Sequence, residues 1–75
     1  MNILLYKIKI IINKEHDYLS YIYFMLRHNK ENNKYYWFDL TLTLELDQTE
    51  YDNVENAEKY LDKLVENNII ISWFK

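Results

Sequence analysis

From Ile3 to Ile12 the chain alternates at period two: Leu4, Tyr6, Ile8, Ile10 and Ile12 share one side, and Ile3, Leu5, Lys7, Lys9 and Ile11 the other. That pattern predicts a strand with one dry face and one mixed face. Asn13 reads as an N-cap, with Glu15 and Asp17 in a first turn where the helix dipole favours acids. Leu19, Ile22, Tyr23 and Leu26 then recur at helical spacing, flanked by Tyr18 and Met25, and predict a first helix that runs to His28. The polar run from His28 to Asn33 predicts a turn.

Lys34 to Leu46 alternates most strictly. Tyr36, Phe38, Leu40, Leu42, Leu44 and Leu46 fall on one side, and Tyr35, Trp37, Asp39, Thr41, Thr43 and Glu45 on the other, which predicts one long strand. Thr49 with Asp52 resembles a capping box and opens a second helix, Asp52 to Asn67, with Val54, Ala57, Leu61, Leu64 and Val65 facing in. Asn67-Asn68 ends it as a left-handed cap, and Ile69 to Phe74 forms a last strand.

The predicted order is β-α-β-α-β in one compact domain over residues 1–75. Two amphipathic helices in so short a chain are most economically placed on one side of the sheet. The expected fold is therefore α+β: a two-layer sandwich, a three-stranded sheet with both helices on one face and the other face open. That open face is expected to carry Lys7, Lys9, Tyr35, Trp37, Thr41 and Thr43, with Trp73 from the last strand.

Composition narrows the chemistry. The chain has 75 residues with no Gly, Pro or Cys. Without cysteine there is no disulfide framework, thiol nucleophile or thiolate zinc site. Without glycine there is no P-loop, dinucleotide fingerprint or strained serine elbow. Positive-φ positions then fall to asparagine, and the pairs Asn32-Asn33 and Asn67-Asn68 mark them. The apolar run from Ile3 to Ile12 is interrupted by Lys7 and Lys9, and is too short to span a bilayer. A cytoplasmic protein of a bacterial or archaeal cell is expected, without membrane contact. Abundant Ile, Asn, Lys and Tyr point to a low-GC genome.

No catalytic constellation is visible, and no enzyme, cofactor or metal site is expected. On one helix, His16 and His28 would stand about 120° apart, so they cannot share a ligand. Ser20 and Ser72 have no positioned base. Nothing near the paired carboxylates of the second half supplies the apolar pocket that would raise one of them.

Charge is the more informative signal. The overall net charge of −3 divides unevenly. Residues 1–36 hold six cations against three acids, and residues 37–75 three cations against nine acids. In the second helix Glu58, Asp62 and Glu66 stack at i, i+4 and i+8, where like charges repel, and Glu66 lies at the unfavourable negative end of the dipole. Such a column, about one helical pitch per charge, is comparable to phosphate spacing along a strand.

A short, acidic, glycine-poor α/β chain of AT-rich composition resembles the small inhibitors of phages and other mobile elements, including anti-CRISPR proteins. The likeness is one of size, composition and charge, and it implies a stoichiometric inhibitor. The expected function is therefore non-catalytic binding of a basic, nucleic-acid-binding protein surface through Glu50, Asp52, Glu55, Glu58, Asp62 and Glu66. A homodimer is also expected. The alternatives are a nucleic-acid-binding module using Lys7, Lys9, Tyr35 and Trp37 on the open sheet face, or a purely structural dimer subunit. In layout the former resembles RRM-type sheets, which stack bases on aromatics beside basic side chains, although their glycine-bearing signatures are absent and the predicted sheet is one strand short.

Overall fold

A computed structural model describes residues 4–13, 18–40, 46 and 48–75. The expected helix at Glu15 and Asp17, the site of His16, and the strand positions 41–45 lie outside the described residues. The elements are β1 (Leu4–Asn13), β2 (Tyr18–Asn29), β3 (Lys34–Asp39), α1 (Val54–Glu66) and β4 (Ser72–Phe74). They form a four-stranded antiparallel sheet in the order β3-β2-β1-β4, with α1 packed against one face.

This corrects the expected three-stranded, two-helix sandwich. The segment expected to be the first helix is β2, whose Ile22 pairs with Ile8 and whose Leu26 pairs with Trp37. Its apolar residues satisfy both periods. Leu19, Ile22, Tyr23 and Leu26 line up at helical spacing, but Ile22, Phe24 and Leu26 also face one way, and Leu19, Tyr21 and Tyr23 the other. The β-favouring tyrosines, isoleucine and phenylalanine decide the matter, because a pleated surface packs such side chains on both sides.

The core lies between sheet and helix. Tyr6, Ile8 and Ile10 of β1, Ile22, Phe24 and Leu26 of β2, and Trp37 of β3 meet Ala57, Leu61 and Leu64 of α1, with Ile70 closing the end. Small Ala57 lets β3 approach the helix backbone, and the Trp37 Nε1–H donates to the Ala57 carbonyl at 3.0 Å. The Tyr6 ring meets the Trp37 ring edge-on, with centroids 4.9 Å apart.

Asparagine does the work of the missing glycines. Asn33 in the β2–β3 turn and Asn68 after α1 have φ of 58° and 59°. At the helix end, the Ile69 N–H donates to the Leu64 carbonyl and the Asn68 N–H to the Val65 carbonyl, which is a Schellman motif. The N-cap is Asn53, not the expected Thr49–Asp52 box: its side chain accepts from the Asn56 N–H at 2.8 Å. The last strand is also shorter than expected, beginning at Ser72 instead of Ile69.

Candidate nucleic-acid interface

Pairing fixes what the uncovered sheet face displays. Phe74, Lys7 and Tyr23 lie in one row across β4, β1 and β2. Neighbouring rows hold Ser72, Lys9 and Tyr21, and Leu5, Met25 and Phe38; Arg27 pairs with Tyr36. Leu5 is 52% exposed, Phe74 45%, Tyr21 44% and Tyr23 40%. Among the described residues, no carboxylate stands on this face.

The cations there lie on rings. Lys7 Nζ sits 4.2 Å from the centre of the Tyr21 ring, and the Arg27 guanidinium 4.2 Å from that of Phe38. The Arg27 Nε–H also donates to Met25 Sδ at 3.3 Å. The Tyr21 and Phe74 rings are 6.5 Å apart, tilted by 45°. Among the described residues, Lys7, Lys9 and Arg27 have no ion pair. A cation over a ring is stabilised by the ring quadrupole, but its charge is not neutralised.

Of the residues expected on the open face, Lys7 and Lys9 are there, whereas Tyr35, Trp37 and Trp73 are on the covered side. Trp37 is buried under α1. Tyr35 packs against the core, its ring 4.7 Å from that of His28, and its backbone pairs with Tyr51. The Trp73 Nε1–H donates to Asp62 Oδ1 at 2.9 Å. Alternation separates the odd and even residues of β3 correctly, but both sets are rich in aromatics, so it does not say which set goes inside. The indoles need both a place in the core and an acceptor for N–H, and only the helix side offers both. The open face instead presents Tyr21, Tyr23, Arg27, Phe38 and Phe74. Read as a strand, β2 would have placed the first three of them together.

Four of the six acidic residues, Glu50, Asp52, Glu58 and Asp62, have partners within the fold. Glu58 Oε2 accepts from the Tyr6 hydroxyl at 2.7 Å and from Lys75 Nζ at 2.9 Å. Burial raises the Glu58 pKa, but these two donors outweigh it and hold the carboxyl below its ordinary value. Asp62 accepts from Trp73, Asp52 pairs with Lys34 at 3.0 Å, and Glu50 accepts from the Asn32 amide at 2.8 Å. Glu55 and Glu66 are exposed on α1. The repulsive column is thus bound on one flank by donors of β1, β4 and Lys75.

Among the described residues, no three His, Cys, Asp or Glu side chains are grouped to hold a metal ion, and no helix is long and apolar enough to cross a membrane. The chain matches no protein-family model, no curated protein and no solved structure.

Proposed function

We propose that this protein is a non-catalytic binding module whose open sheet face takes single-stranded nucleic acid. The observation that supports this reading is the set of cations on the open face, Lys7 over Tyr21 and Arg27 over Phe38 with Lys9 paired to Tyr21, and no carboxylate on that face among the described residues. Phosphates answer the cations, and unstacked bases answer the rings, each stacked base contributing about 1–3 kcal/mol. In the free protein Lys7 and Arg27 cover ring faces that bases would use. Binding therefore exchanges each cation–ring contact for a base–ring contact and hands the cation to phosphate. A duplex keeps its bases stacked on one another and offers only the second half of that exchange.

Charge also argues against a second copy on this face. Two sheets packed face to face would confront each set of three cations with the other, and described residues supply no acid to separate them.

Anisotropy of a labelled single-stranded oligonucleotide is the direct test, with a duplex and anionic lipid vesicles as competitors. Tyr21→Ala with Phe74→Ala is expected to weaken binding at least tenfold, and the single strand to compete far better than duplex or vesicle. Equal affinity in the double variant, or preference for vesicles, would overturn the reading.

Binding of a basic protein surface by the acidic helix is a second reading, favoured by the exposure of Asp52, Glu55, Asp62 and Glu66 away from the sheet face of Lys7, Lys9 and Arg27. It predicts that Glu55→Lys with Glu66→Lys abolishes binding of a basic protein while oligonucleotide affinity does not fall.

A further inference from the structure

The column of α1 next to Glu58 and Asp62, about 100° round the helix, has a different chemistry. There Lys59 and Lys63, one helical turn apart, border a cleft of about 340 Å³ that Thr49, Tyr51 and Tyr60 also line. This lies within the size range of small-molecule sites, about 300–1,000 Å³. The Tyr51 and Tyr60 rings stand 6.2 Å apart, tilted by 42°.

Two features of the lysines need a reason. Glu55 and Glu66 stand at i−4 from Lys59 and i+3 from Lys63, where ion pairs form readily on a helix. Yet among the described residues neither lysine is ion-paired. Lys63 complements the negative end of the helix dipole, but Lys59, mid-helix, gains nothing from it. Two ammonium groups without an ion pair among the described residues, a hydroxyl and two phenol rings around one cleft suit a ligand with a compact anion at one end and a planar ring at the other.

We infer that this cleft binds a mononucleotide, its phosphate held by Lys59 and Lys63 with the Thr49 hydroxyl and its base against the tyrosines. The site is separate from the sheet face. It uses no residue of that face and stands whether or not the face takes nucleic acid.

The test is a two-dimensional amide NMR titration of the full chain with AMP, adenosine and inorganic phosphate. AMP is expected to shift the amides of Thr49, Tyr51, Lys59, Tyr60 and Lys63 in the millimolar range or tighter. Adenosine and phosphate alone should bind at least tenfold more weakly. Lys59→Gln with Lys63→Gln, whose spectrum reports whether the fold survives, should weaken AMP at least tenfold, whereas Lys7→Gln with Lys9→Gln should not. No shift at about 10 mM AMP (weaker than about −3 kcal/mol), shifts confined to the sheet face, or affinity unchanged in the α1 lysine variant would each overturn the site. Failure of the oligonucleotide experiment with AMP binding intact would overturn only the sheet-face reading.

Discussion

At the scale of single residues, Tyr6 and Glu58 show how a carboxylate singled out for its charge can also be an acceptor within the fold. The Tyr6 side chain is fully buried, and its hydroxyl donates to a carboxylate 52 positions away. Burial and the neighbouring Glu58 both push the Tyr6 hydroxyl well above its ordinary pKa, so it remains a donor at alkaline pH. Glu58 is shifted the other way, below its ordinary value. Its contribution to stability is therefore present above the unfolded value of about 4.3 and is lost as pH falls through the lower, folded value. The Tyr6 contribution is constant below the unfolded value of about 10 and is lost as pH rises above it. Tyr6→Phe is expected to cost about 1–2 kcal/mol near neutrality. It should also flatten the loss of stability between pH 5 and 3 and remove the Tyr6 share of the alkaline loss. Urea unfolding across that range checks this, and an unchanged pH profile would exclude the coupling. The acidic column was legible as an anomaly in the sequence, because like charges repel wherever the helix packs. Its cause was not, because Tyr6, Trp73 and Lys75 are brought to it only by the folded sheet.

Among the elements, α1 and its C-terminal end were legible for a local reason, whereas its N-cap is Asn53 and not the expected Thr49–Asp52 box. Helical spacing and the asparagine pair after the last turn act within a few residues of one another. Asn68 is the sharpest case, since its φ of 59° is tolerated by asparagine and glycine but not by a β-branched side chain. Asn68→Val is expected to cost about 1–2 kcal/mol, or a fall in Tm of about 4–8 °C per kcal/mol in a domain of this size. Asn68→Gly should leave Tm unchanged or raise it. Calorimetry of both variants checks the assignment, and equal Tm values for Val and Gly would contradict it. The error at β2 arose from the opposite situation. A segment apolar on both faces satisfies a helical stripe and a two-sided strand alike, and the choice belongs to its neighbours. β1, with one apolar and one mixed face, is likewise an inner strand and pairs with β2 on one side and β4 on the other. Those pairings are long-range, so strand order and the exposed set on β3 could not be read from the periodicities.

Over the whole molecule, the described residues of the open sheet face include cations without acids, whereas the acids of the helix side stand together with Lys34, Lys59, Lys63 and Lys75. The cations of the first half of the chain include the three on the open face, and the acids of the second half gather on and before α1. The net charge of −3 therefore does not describe the open face, and net charge alone does not decide whether that face meets a polyanion. Salt dependence can separate the two halves of the proposed contact, because neutralised phosphates release counterions and stacked bases do not. With Lys7, Lys9 and Arg27 each meeting a phosphate, the slope of log K against log salt should be about −2, at about −0.7 per contact on a single strand. Lys7→Gln should make that slope shallower by about 0.7. Phe74→Ala should lower affinity at every salt concentration and leave the slope as it was. Distant acids on α1 repel the strand most at low ionic strength, where screening is weakest, so the measured slope should itself flatten at the lowest salt. A slope near zero for the wild type, or the same change of slope in both variants, would mean that the cations on this face do not meet phosphate.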